Sequence, residues 1–104
     1  MAFLEGLTWG SQEALGETRS GIPIYTGTAH GLTEWKFKVH NKQRTLTSIS
    51  DEETRLQRLA SLISQVIDGL SDDALKIAMD MTEEQLNSYN AVNILVRLMD
   101  EHVA

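Results

Sequence analysis

The chain has 104 residues, 15 acidic against 9 basic side chains, a formal net charge of −6 and no cysteine. That length holds one domain, or a fragment of one, with a single modest core, and the charge excludes a surface that is a nucleic-acid footprint throughout. The missing cysteine excludes disulfides, a zinc knuckle and thiol chemistry together.

A hydrophobic share of 41% is ordinary for a folded protein and argues against disorder throughout. No apolar run approaches the roughly 20 residues of a membrane span. Met1-Ala-Phe-Leu-Glu5 has neither the basic region nor the long apolar region of a signal peptide. The expected setting is intracellular and cytoplasmic, with no membrane partner.

Residues 1–21 carry Gly6, Gly10, Gly16 and Gly21 among scattered apolar residues. Glycine at that density weakens helix, so a mobile N-terminal arm is predicted, with at most one short turn at residues 12–15. Phe3, Leu4, Leu7 and Trp9 are too apolar for a plain linker and imply docking on the body or on a partner. Residues 22–104 form the predicted domain. Residues 22–25 are its one strand-like piece. Pro23 keeps Ile22 extended and removes a donor, which predicts an edge or isolated segment rather than a sheet strand. Gly27 and Gly31 bracket a turn.

A first helix is predicted from Leu32 to Arg44. Leu32, Trp35, Val39 and Leu46 fall on one face by the 3.6 period. Lys36, Lys38, His40, Lys42 and Arg44 make the helix basic, and Phe37 lies off the apolar face, where the arm is expected to meet it. The second helix opens on a capping box of Ser50 and Glu53, with Asp51 and Glu52 favourable at the positive helix end. Leu56, Leu59, Ala60, Ile63, Val66, Ile67 and Leu70 follow at helical spacing, and Gly69 loosens or ends the helix. A short third helix is capped by Ser71, with Ala74, Leu75, Ala78 and Met79 as its apolar side. Thr82-Glu-Glu-Gln85 is another capping box, and residues 87–90 break the pattern before a last helix from Ala91 to His102.

The last helix is apolar over roughly half its girth, wider than the usual stripe of about 100°. Such a helix is either central in the bundle or part of an interface, and Val92, Val96, Met99 and Val103 are the flank assigned to self-association. The predicted fold is all-α, a compact bundle of four main helices behind a short extended segment, with Trp35, Leu59 and Ile63 as core anchors.

No catalytic constellation stands out. His30, His40 and His102 are far apart and show no metal-site spacing, and no phosphate or calcium loop is present. The acidic clusters at residues 51–53, 72–73 and 83–84 each follow a Ser or Thr at a helix start, so capping explains them better than acid–base chemistry. Neither catalytic, metal nor cofactor residues are assigned. Trp35 could stack on a ligand, but its apolar-face position reads better as core. Lys36, Lys38, Lys42 and Arg44 offer a weak polyanion contact. A solvated basic face, paired in part with acidic helix starts, is the plainer reading.

Tyr25-Thr-Gly27 and Leu32-x-x-Trp35-x-x-Lys38, followed by Ile63-x-x-x-Ile67 before an acidic turn and by Ala74, form a pattern over residues 22–103. It resembles the N-terminal capsid (Gag) region of copia-type retrotransposon polyproteins. Where many of those proteins carry a tryptophan after the helix-three alanine, Ala78 and Met79 stand here. The resemblance implies a helical, non-enzymatic structural domain that self-associates in a particle around element RNA. The chain would be the N-terminal part of a longer capsid region, or the product of a truncated element. Its partners would be further copies of itself or the downstream half of that region, and RNA would be bound weakly or through other segments. The alternative is a domesticated host adaptor domain that binds a peptide helix in a groove. A small enzyme is a third class, disfavoured by the empty inventory of polar constellations.

Overall fold

The computed structural model describes residues 15–103. Phe3, Leu4, Leu7, Trp9 and most of the expected turn at residues 12–15 lie outside the described residues. Five helices follow one another: α1 (Leu32–Thr47), α2 (Glu52–Asp68), α3 (Asp72–Met79), α4 (Glu83–Leu86) and α5 (Ala91–Val103). α4 is a single turn, so four main helices build an all-α fold, and no strand occurs among the described residues.

Local chemistry sets the helix limits. Thr47 and Ser48 turn their hydroxyls back onto the carbonyls of Arg44 and Thr45 and close α1. At the start of α2 the cap is Asp51, one residue later than the expected Ser50–Glu53 box. Its carboxylate accepts from the Thr54 amide at 2.9 Å and from the Thr54 hydroxyl at 2.6 Å. An ionised carboxylate is a stronger acceptor than a serine hydroxyl at the positive helix end, and these bonds hold the Asp51 pKa below its ordinary value. The Thr82–Gln85 capping box forms with both of its reciprocal bonds. Ser71 does occupy the N-cap of α3, but its side chain makes no capping bond.

The core gathers Trp35 and Val39 of α1, Leu62, Ile63 and Val66 of α2, Ala74 and Ala78 of α3, and the inner face of α5. Leu59 is a correction: it is half-buried and outside this cluster, while Leu62 is fully buried. The N-terminal half of α2 contains no buried residue, and Leu56 is 43% exposed. Periodicity places Leu59 on a suitable face, but the cover begins one turn further along the helix.

α5 touches all four other helices. Ala91, Val92, Leu95, Val96 and Met99 are buried, and Ile94, Leu98 and Val103 pack half-buried against them. Val92, Val96 and Met99 are therefore core, and the flank assigned to self-association is not free. The wide apolar arc is explained by central position, because neighbours cover α5 from several sides.

Val96→Asp places a carboxylate in this apolar site. An uncompensated buried charge costs about 3–5 kcal/mol, a large share of the roughly 5–15 kcal/mol available to a small domain. Thermal melts followed by circular dichroism are expected to show a strongly lowered midpoint or loss of the helical signal. A midpoint within a few degrees of the parent would place the Val96 flank in solvent.

Candidate functional site

Two places gather the residues singled out by sequence: a buried junction beneath the extended segment, and the outer face of α1.

The junction begins with a small turn. Gly21 adopts a φ of 78°, and its amide donates to the Thr18 carbonyl at 3.0 Å. Residues 22–24 then run back beside residues 16–18, with bonds from Thr18 to Ile22 and from Ile24 to Gly16. The domain boundary expected after residue 21 thus falls inside a continuous structure, and Leu15 already packs on the core. Beyond Pro23 the segment lies on the α2–α3 connection. The Tyr25 amide donates to the Gly69 carbonyl at 2.8 Å, and the Tyr25 carbonyl accepts from Ser71 at 3.1 Å. The Thr26 carbonyl accepts from the Ala74 amide at 3.2 Å, so main chain satisfies a first-turn donor of α3 that a Ser71 side chain was expected to serve.

Two glycines permit this approach. A Cβ on Gly69 would stand 2.6 Å from the Pro23 carbonyl oxygen. Gly27 has φ 102°, and a Cβ there would stand 2.8 Å from the Ala74 amide nitrogen. Tyr25, fully buried, stacks on the equally buried Trp35 with ring centroids 5.3 Å apart and planes at 21°. The Tyr25 hydroxyl donates to the Thr28 carbonyl at 2.6 Å, and burial pushes its pKa above the ordinary value. The Trp35 indole Nε1 is buried with no partner.

The outer face of α1 is polar and partly neutralised from within. Lys36 pairs with Asp100 of α5 at 2.8 Å. Lys38 pairs with Glu34 at 3.2 Å and with Glu17 at 3.6 Å. The expected pairing of α1 lysines with the acidic starts of α2 and α3 is not what forms. Lys42 and Arg44 make no ion pair among the described residues, and the Arg44 guanidinium donates to the Asn41 side chain. Phe37 stands 72% exposed between two shallow clefts, and most of the arm expected to meet it lies outside the described residues. The larger cleft, about 350 Å³, is bordered by Phe37, Lys38, Asn41, Lys42 and Thr45 of α1 and by Glu17 and Gly21 of the turn segment.

A third cleft, about 170 Å³, opens where α1 meets α2 and is lined by Ser20, Lys42, Leu46, Arg58 and Gln65. Lys42 borders both this cleft and the larger one. Sequence reasoning missed Arg58 and Gln65 because they sit on a different helix from Lys42 and show no spacing relation to it. Among the described residues no group of three or more His, Asp or Glu side chains could hold a metal ion, and no helix is long and apolar enough to cross a membrane. No protein-family model, curated protein sequence or solved structure matches this chain.

Gly27→Ala is expected to destabilise by at least about 1–3 kcal/mol, because it combines a left-handed backbone with a collision against main chain. Denaturant titration measures it, and an unchanged midpoint would contradict the close approach.

Tyr25 gives a pH signature. A phenol whose folded pKa lies above its unfolded value of 10.0 contributes stability fully below about pH 10, and that stability is lost as pH rises through the folded pKa. Tyr25→Phe keeps the stack but loses the bond to Thr28, so it should be about 1 kcal/mol less stable at neutral pH. The gap between variant and parent should close as the pH is raised into the alkaline range. A gap that stays constant in melts across that range would rule out a buried, hydrogen-bonded phenol.

Proposed function

We propose that this chain is a non-enzymatic structural module of the Gag type, corresponding to the N-terminal capsid region of a copia-type element. Its work is self-association within a particle that encloses element RNA. One observation carries this reading. Tyr25, Gly27, Trp35 and Ala74, which bear the resemblance and are spread over fifty positions of sequence, meet at one buried junction. Ile63 belongs to the same core cluster, and Ile67 packs against it. Most residues of the pattern thus lie in or against the core, while Lys38 of the same pattern stands on the outer face of α1, and this burial is what supports the reading.

The contacts for assembly lie away from α5, whose apolar flank is covered. Met79 at the end of α3 and Tyr89 before α5 stand 73% and 71% exposed. Single exposed side chains give weak contacts, and a particle multiplies many of them. The partners in this reading are further copies of the chain or the downstream half of a capsid region. RNA is held chiefly by other segments of a longer protein, within the cytoplasm.

Sedimentation velocity over a series from micromolar to millimolar protein tests the reading. The chain is expected to be monomeric when dilute and to associate reversibly when concentrated. Met79→Ser combined with Tyr89→Ser should move the onset of association to higher concentration without changing the helical signal. A strict monomer at the highest concentration would sink the assembly role and favour the host adaptor reading.

A further inference from the structure

The cleft between α1, α2 and the turn before Gly21 concentrates positive charge in a chain whose formal charge is −6. Lys42 and Arg58 line it with Gln65, Ser20 and Leu46, and no carboxylate takes part. Lys36, Lys38 and Lys76 each have an acidic partner, whereas Lys42 and Arg58 make no ion pair among the described residues. Two like charges facing one cleft repel, and an anion placed between them relieves that repulsion. The amide of Gln65 and the hydroxyl of Ser20 add neutral donors.

Half-buried Lys42 extends toward the turn: a Cβ on Gly21 would lie 3.8 Å from its Nζ. Its side chain also borders the larger cleft, which Phe37, 72% exposed, lines as well. From Phe37 to Leu46 the helix rises roughly 13 Å, longer than a single phosphate group requires. Glu17 and Lys38, which pair with each other at 3.6 Å, line the larger cleft as well, so the cations left without an acidic partner among the described residues are Lys42 and Arg58, and the anionic groups belong beside them with an uncharged ring at Phe37. Arg44 and His40 border Phe37 on its other side.

We infer that this continuous surface is a binding site for a short stretch of single-stranded nucleic acid, with phosphates at Lys42 and Arg58 and one base stacked on Phe37. Cations that track a backbone beside an exposed aromatic ring are the physical basis of such binding. A duplex is a poor fit, because its bases are already stacked on one another and cannot cover Phe37. The site is independent of the assembly reading: a chain that never self-associates would still carry it.

The test uses the full chain and a fluorescently labelled oligouridylate of about ten nucleotides, followed by anisotropy at several salt concentrations. Weak binding that fades steeply with salt is expected. Lys42→Gln combined with Arg58→Gln should weaken association at least about ten-fold at low salt. It should also lower the salt slope by about 1.4, since each single-strand phosphate left without its cation takes away about 0.7. Phe37→Ala should weaken association about ten-fold with the slope unchanged, since stacking releases no counterion. Should the double variant lose helical signal, Arg58→Gln alone, at an exposed position, is expected to show half the slope change.

Each contrary result has a distinct meaning. Variants that bind as well as the parent, or a parent that does not bind even at low salt, would overturn the site. Equal affinity for a duplex of the same length would remove the base from Phe37 and overturn the strand assignment. Displacement of the oligonucleotide by inorganic phosphate or polyglutamate at equal charge concentration would reduce the surface to an unselective anion cleft, with the same consequence.

Discussion

The structure depends on one main-chain contact: residues 25 and 26 hydrogen-bond to the connection between α2 and α3. An unpaired backbone group in a buried position costs about as much as a missing hydrogen bond, so the α2–α3 connection needs a partner wherever water is kept out. The segment before α1 supplies it. Ser71 and Ala74 donate to Tyr25 and Thr26, while Gly69 accepts from Tyr25. The same contact delivers Tyr25 onto Trp35, and so ties α1 to the α2–α3 connection through the segment that precedes α1. Gly27 and Gly69 follow as necessities, since a side chain at either would occupy space held by main chain.

Around that contact the bundle closes on α5. A helix apolar over half its girth is a poor surface helix but a good central one, and four neighbours use that width. The central position has a consequence for any assembly role. Among the described residues, surface for contacts comes from single exposed side chains such as Met79 and Tyr89, or from charged faces, rather than from the apolar arc of α5. Contacts of that kind are individually weak, and weak contacts suit a reversible assembly in which many act together.

Charge divides the surface unevenly. Part of the basic character of α1 is consumed internally by Asp100, Glu34 and Glu17, and exposed pairs of this sort contribute little to stability. Lys42 is set apart from them by the helix crossing. α2 places Arg58 beside it and leaves acidic residues elsewhere. A protein with a net negative charge thereby presents a local cationic cleft, a distribution that net charge alone conceals.

The sequence by itself determined the helices, their order and most of their ends, because those features are local. A 3.6-residue period marks α1 through Trp35 and Val39 whatever packs on them, and the Thr82–Gln85 box closes within four residues. It also marked Tyr25, Gly27 and Trp35 as a set, through resemblance rather than through any visible contact. Tertiary structure alone decided what covers each face. Periodicity gives the direction of an apolar stripe but not where along the helix its cover begins, so Leu62 is core while Leu59 is half-buried. It gives the width of the α5 arc but not the number of neighbours, so Val92, Val96 and Met99 proved to be interior. Lys42 and Arg58, sixteen positions apart in sequence, line one cleft. Such pairings arise only when separate helices cross, and no local pattern encodes where that crossing falls.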